Sequence, residues 1–136
     1  RMRRPAVRVT AKACPLFVPL IEEGWWDHPV TRCVARDYLA GLKSAGVDSL
    51  ILGCTHYPMI KPILASVMGA GVRLVDSADE TAVDAEALLS ERGLKRSGGK
   101  GSEAFFVTDG AERYRTLVRR ILGGKARRVR VVRLPS

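Results

Sequence analysis

The chain has 136 residues, 46% of them hydrophobic and 27% charged, and a formal net charge of +9. That length suits one domain able to bury about two thirds of the surface its unfolded form exposes, and the composition excludes wholesale disorder. The longest apolar runs, Cys14 to Ile21 and Ser49 to Gly53, fall far short of the ~20 residues that cross a bilayer.

Arg8 and Lys12 interrupt what would be the apolar region of a signal peptide. The first residue is Arg1 rather than Met, and the expectation is a piece of a longer protein. Three cysteines without framework spacing fit a reducing compartment better than a secreted one. The charge is unevenly spread. Residues 1–12 carry +5, residues 13–93 carry −5, and residues 94–136 carry +9. The basicity therefore sits in two ends around an acidic body, unlike a domain whose whole surface grips nucleic acid.

Val7 to Lys12 alternates apolar and polar residues, which predicts a strand. Cys14 to Ile21 contains Pro15 and Pro19, which points to a strand end, an edge or a loop. Residues 22–29 read as a connection carrying Trp25 and Trp26, which could wall a site cleft but are expected rather in the core or at a domain interface, with His28 as a surface or turn residue. Thr31 to Ala45 is predicted helical, with Val34, Tyr38, Leu39 and Leu42 on one face and Gly46 as the stop. Val47 to Gly53 is a short apolar run expected to be a buried strand.

Thr55 to Pro58 is a turn into a second helix at about Met59 to Met68. Val72 to Asp76 is a further strand. Ser77 and Glu80 form a capping box that opens a helix through about Arg92, which Gly93 ends. Helix, strand, helix, strand, helix over 31–93 implies a parallel sheet with helices packed on it. Residues 95–103 are a flexible break. Ala104 to Thr108 predicts a strand. Asp109 is the expected N-cap of a helix from Ala111 to Leu122, with Tyr114, Leu117, Val118 and Ile121 on one face. Gly123 and Gly124 end it, and Val129 to Leu134 is the last strand.

The chemistry concentrates at Gly53-Cys54-Thr55-His56-Tyr57-Pro58. In open α/β sheets, ligands bind beyond the carboxyl ends of the strands. A thiol there is exposed on a rigid backbone, and Gly53 allows close backbone approach. The N-terminus of the following helix favours thiolate over thiol and offers a seat for a carboxylate. His56 can relay a proton, and Thr55 supplies a hydroxyl. Three other readings compete. A lone cysteine is commonly a small buried hydrophobe. Zinc could draw on Cys54, His56, Cys14, Cys33 and His28, but no pair has the usual ligand spacing. A Cys-His hydrolase nucleophile would want an oxyanion motif or an acidic partner, and none stands out.

The segment GCTHYP (Gly53 to Pro58) after an apolar strand resembles the second cysteine motif of the glutamate racemases. Ala13 to Gly24 (ACPLFVPLIEEG) looks like another segment of that family. The resemblance continues through Val75-Asp76-Ser77 and Phe106-Val107-Thr108-Asp109, and covers about residues 10–134. His56 is similar to the glutamate-specific pattern within the aspartate/glutamate racemase superfamily, whose aspartate members typically carry an acidic residue there.

The resemblance implies an α/β fold, a parallel-sheet three-layer domain of the racemase type, here incomplete. It implies residues 1–93 as the second domain, 94–103 as a crossover, and 104–136 as a strand–helix–strand returning to the first domain. It implies no cofactor, no metal and a two-thiol proton transfer on glutamate, the small-molecule substrate. Cys54, His56 and Glu22 are then catalytic, and Cys54 and Thr55 bind substrate. Cys14 and Cys33 are expected to be structural.

The family's amino-terminal Asp-Ser-Gly and Asn-Thr motifs, with the first catalytic cysteine, do not occur in these 136 residues. The expectation is therefore a carboxyl-terminal half, inactive alone, whose partner is the missing amino-terminal half, with room for a homodimer and no membrane. The family makes D-glutamate for peptidoglycan, which implies a bacterial cytoplasm. The alternative is a basic nucleic-acid-binding α/β module using the two arginine-rich arms. Few aromatics interleave with those arginines, and the run Lys125 to Arg133 reads better as a solvated strand face.

Overall fold

The structure, a computed structural model, describes residues 7–122 and 129–134. In chain order the elements are α1 (Phe17–Glu22), α2 (Pro29–Ser44), β1 (Ser49–Leu52), a 3₁₀ turn (Tyr57–Ile60), α3 (Lys61–Met68), β2 (Arg73–Asp76), α4 (Ser77–Glu91), β3 (Phe105–Val107), α5 (Ala111–Ile121) and β4 (Val129–Val131). The chain divides into two compact units, Arg1–Glu80 and Thr81–Ser136.

The first unit is organised by α2. Pro29 stands in its first turn, where a missing N–H costs nothing. His28 is its N-cap, its Nδ1 accepting from Val30 N at 3.2 Å. Thr31, Ala35, Leu39 and Leu42 form the buried stripe, the i, i+4, i+8, i+11 spacing of one helix face. The buried Thr31 hydroxyl is satisfied by donating to Trp25 O at 2.6 Å. At the far end Gly46 takes φ +65°, which only glycine adopts cheaply, and turns the chain into β1. Lys43 Nζ donates to Val67 O at 2.7 Å and joins the ends of α2 and α3. Ile60, Ile63, Leu64, Val67 and Met68 meet the stripe from the 3₁₀ turn and α3. Each such side chain contributes roughly 1.5–3 kcal/mol by leaving water.

β1 and β2 pair in parallel, with Leu50 opposite Leu74, Ile51 opposite Val75 and Leu52 opposite Asp76. In the second unit β3 and β4 pair in parallel, Phe106 opposite Arg130. Parallel pairs connected through helices make this an α/β arrangement, as the alternation of elements predicts.

Several expectations need correction. Val7 to Lys12 is not a strand: it is irregular and exposed. Alternation selects a face, but a strand also needs a neighbour to pair with. Cys14 to Ile21 is not a strand end or loop, because α1 starts inside it. Pro19 lies in the first turn of α1, where its lack of an N–H is tolerated, and Phe17 and Ile21 are buried one helical turn apart. The cap of α4 is not the Ser77 box. Asp76 Oδ1 accepts from Ala78 N and Asp79 N, both at 3.0 Å.

Asp109 does not cap α5 directly. Gly110 is the N-cap residue at φ +61°, and Asp109 accepts from Gly110 N at 2.6 Å. β1 is not fully buried either: Leu52 is buried, whereas Ile51 is 75% exposed. Parallel strands are normally covered on both faces, so Ile51 marks a side of β1 left uncovered, while Val75 beside it is half-buried. The expected helix stop at Gly123 and Gly124 lies outside the described residues. So does part of the run Lys125 to Arg133, in which Arg130 and Arg133 are exposed. Among the described residues no helix is long and apolar enough to cross a membrane.

Candidate active site

Cys54 follows directly after Gly53 at the carboxyl end of β1. Beside it opens a cleft of about 340 Å³, lined by Leu52, Gly53, Cys54 and Thr55 from the end of β1, by Asp76 from the end of β2 and by Glu80 from α4. That volume is within the range of small-molecule sites, roughly 300–1,000 Å³. A Cβ placed on Gly53 would meet nothing within 4 Å, so no neighbouring protein atom requires a glycine there.

The three residues expected to act together converge. Cys54 Sγ lies 3.9 Å from His56 Nδ1, and Thr55 Oγ1 lies 3.4 Å from the same nitrogen. His56 Nε2 lies 3.6 Å from Glu22 Oε1. Thiol, imidazole and carboxylate thus form a file. Cys54 faces the cleft, while His56 and Glu22 lie outside its lining. In the tautomer that carries its proton on Nε2, on the side of Glu22, Nδ1 would present a lone pair to the thiol, the arrangement of a proton acceptor.

Glu22 and His56 are 34 positions apart, and an aromatic cluster closes that distance. Phe17 on α1 packs edge-on to Tyr57 at 5.3 Å and to Tyr38 of α2 at 5.4 Å. Such pairs contribute about 0.5–1.5 kcal/mol beyond their burial. Tyr57 Oη donates to Cys14 O at 3.3 Å, which ties the loop after Cys54 to the segment leading into α1. Burial first, then the neighbouring Cys14, Cys54 and Tyr38, push the Tyr57 phenol up from its ordinary value, so it stays a neutral donor. The sequence reading treated Tyr57 only as part of a turn.

One local expectation is not met. The element after Cys54 is a single 3₁₀ turn, and α3 starts only at Lys61. The N–H groups of Tyr57 and Met59 are spent on Cys54 O at 3.3 Å and His56 O at 3.0 Å, so the thiol does not sit at the mouth of an α-helix.

The other cysteines stand apart from this file. Cys14 is buried in the core, and burial, partly opposed by Lys12, raises its thiol above the ordinary value. Cys33 is exposed on α2. Among the described residues no group of three or more His, Cys, Asp or Glu side chains is placed to hold a metal ion. Trp26 packs against the core and donates Nε1–H to Ile21 O at 2.8 Å. Trp25 is partly exposed and stacks on His28 at 4.2 Å.

Comparison with known proteins agrees with the motif. The chain is 48% identical over 122 residues to glutamate racemase of Geobacter metallireducens, a match covering 89% of this chain and 45% of that protein. It superposes on the crystal structure of Thermus thermophilus glutamate racemase in complex with β-chloro-D-alanine with a TM-score of 0.79 at 48% identity. That match covers 91% of this chain and 47% of the other.

The chain is similar to about half of a glutamate racemase.

A further racemase structure, from Francisella tularensis in complex with D-glutamate, matches with a TM-score of 0.81 at 31% identity, over 95% of this chain and 48% of that one. The chain thus spans about half the length of the racemases it matches. No family model matches it.

Proposed function

We propose that this chain is the Cys54-bearing half of a cofactor-independent glutamate racemase, acting in a bacterial cytoplasm to supply D-glutamate for peptidoglycan. The observation that carries the reading is the Cys54–His56–Glu22 file at the carboxyl end of a parallel strand, in a chain nearly half identical to racemases. In the L-to-D direction the Cys54 thiolate removes the α-proton of glutamate. The α C–H bond breaks and an S–H bond forms, leaving carbanion charge on the substrate. A second thiol, from the half of the enzyme that this chain lacks, gives its proton to the opposite face. His56 takes up and returns the Cys54 proton, and Glu22 stabilises the imidazolium that results. Cys54 and Thr55 hold the amino acid at the cleft.

An α-proton is too weakly acidic for an unaided base, so fixed dipoles and exclusion of water must stabilise the developing charge. One side of a cleft cannot exclude water, which is why the lone chain is expected to lack turnover. Nothing among the described residues favours the nucleic-acid reading.

Mixing the chain with a matching amino-terminal half should restore exchange of the glutamate α-proton with solvent deuterium. Cys54→Ala should slow that exchange about a thousandfold, the scale of losing a proton-transfer group. Exchange at the original rate in the complemented variant would remove Cys54 from the mechanism. Robust racemisation by the lone chain would show that the second thiol is not missing.

A further inference from the structure

The loop that presents Cys54, Thr55 and His56 is fastened at both ends to one residue. At its start, Leu52 is the ladder partner of Asp76. At its end, Lys61 Nζ donates to Asp76 Oδ2 at 2.5 Å. Residues 53–60 therefore close a loop on Asp76. The Asp76 side chain is only 2% exposed, and its other oxygen accepts the two N–H groups that start α4. One carboxylate thus joins β2, α3 and α4 at the edge of the cleft it helps to line.

Helix logic alone does not explain this placement. Lys61 is the first residue of α3, where the helix dipole disfavours a cation. Its charge is matched instead by Asp76 and, at 2.6 Å, by the exposed Asp79. A buried carboxylate in turn needs such a partner, since an unpaired one is costly to hold away from water. The pair satisfies both groups only if Lys61, where the loop from Leu52 ends, stays beside Asp76.

We propose that Asp76, acting through Lys61, is a positioning residue that fixes the Cys54–His56 loop relative to the cleft. This rests on the reading of Cys54 as the reactive thiol only for its consequence in turnover; the fastening itself is independent of that reading. The side-chain hydrogen bond from Lys61, then the backbone N–H of Asp79, hold the Asp76 carboxyl below its ordinary value, so the pair is charged at neutral pH.

The test uses the full 136-residue chain, free and complemented. Asp76→Asn keeps an acceptor for the α4 N–H groups and removes the buried one of the two charges that hold Lys61. Lys61→Gln removes the same tie from a side chain that is one-third exposed, so it decides the matter even where Asp76→Asn fails to fold. Hydrogen exchange of peptides covering 53–60 should speed up about tenfold in both, as expected for losing a charge-assisted hydrogen bond, with α2 unchanged. Alkylation of Cys54 by iodoacetamide, resolved by mass spectrometry against Cys33, should change in the same variants and return to the wild-type rate in Lys61→Arg. In the complemented enzyme kcat should fall more than KM rises.

Unchanged exchange at 53–60 in folded Lys61→Gln would overturn the proposal. So would an Arg variant that behaves like the Gln variant. If the loop loosens as expected but the complemented wild-type protein shows no α-proton exchange, the fastening stands and the racemase reading falls.

Discussion

The two units of this chain contain similar parts and differ in what those parts have to pack against. In Arg1–Glu80 three helices, a 3₁₀ turn and Leu52 enclose a core that includes Phe17, Ile21, Ile60, Ile63 and Leu64, all nearly inaccessible. In Thr81–Ser136 the described residues bury Val118 alone. α4 has no buried residue along its 15 positions, with Val83, Leu88 and Leu89 exposed. Phe106 and Val131 are exposed on the β3–β4 pair as well. Helices and strands form where the local pattern favours them, but most of their stability comes from packing one face against something. The first unit holds its own packing partners, whereas the described residues of the second bury little.

This contrast is open to direct attack. The largest expected effect is in hydrogen exchange. Amides of α2 and α3 should exchange at least about a hundredfold more slowly than those of α4, reflecting unequal local opening energies. Equal protection would mean the second unit is as well packed as the first. Next, Ile63→Ala should lower unfolding stability by about 2–5 kcal/mol in a urea melt, whereas Leu88→Ala on exposed α4 should change it by less than about 0.5 kcal/mol. A large loss from Leu88→Ala would place that side chain in a core after all.

A pH titration sharpens the first unit further. The Asp76 carboxyl is held below its ordinary value by Lys61 and the Asp79 N–H, while Asp79 and Glu80 stand close by. A lowered carboxylate contributes stability above the ordinary carboxylate range, and that contribution is lost as pH falls through the folded value. Lys61 is raised, chiefly by its hydrogen bonds to Asp76 and Asp79, so its share is present below the ordinary lysine value and lost only at strongly alkaline pH. The acid limb of the stability curve should therefore be flatter in Asp76→Asn than in wild type. A limb of the same steepness would show that Asp76 does not carry the acid loss. The smallest effect is expected at Ser77. Ser77→Ala should cost only a few tenths of a kcal/mol, because Asp76 supplies the cap, and Asp76→Ala should cost about 0.5–2 kcal/mol from the cap alone.

Much of the first unit was legible in the residues. Apolar spacing located α2 and α3 to within a few positions, and Gly46 marked the turn into β1. The misses share a cause. α1 was obscured by Pro19, which breaks helices in general but not in their first turn. Val7 to Lys12 has the alternation of a strand but, among the described residues, no strand beside it. The caps of α4 and α5 shifted by one residue because Asp76 and Gly110 took the roles given to Ser77 and Asp109. In the site, the Cys54 motif stood out because its residue types are rare together. Tyr57 and Lys61 did not, since a tyrosine in a turn and a lysine on a helix are ordinary until their partners are known.

By itself the sequence determined the α/β character and the thiol after a strand, and carried the resemblance to half of a racemase, because those depend on local periodicity and on contiguous motifs. Only the tertiary structure decided that Glu22 stands behind His56, that Asp76 fastens both ends of the Cys54 loop, and that Ile51 and α4 have bare faces. Each of these depends on side chains far apart in the chain, and their meeting is set by the packing of Phe17, Tyr57 and the α2–α3 core rather than by any local preference.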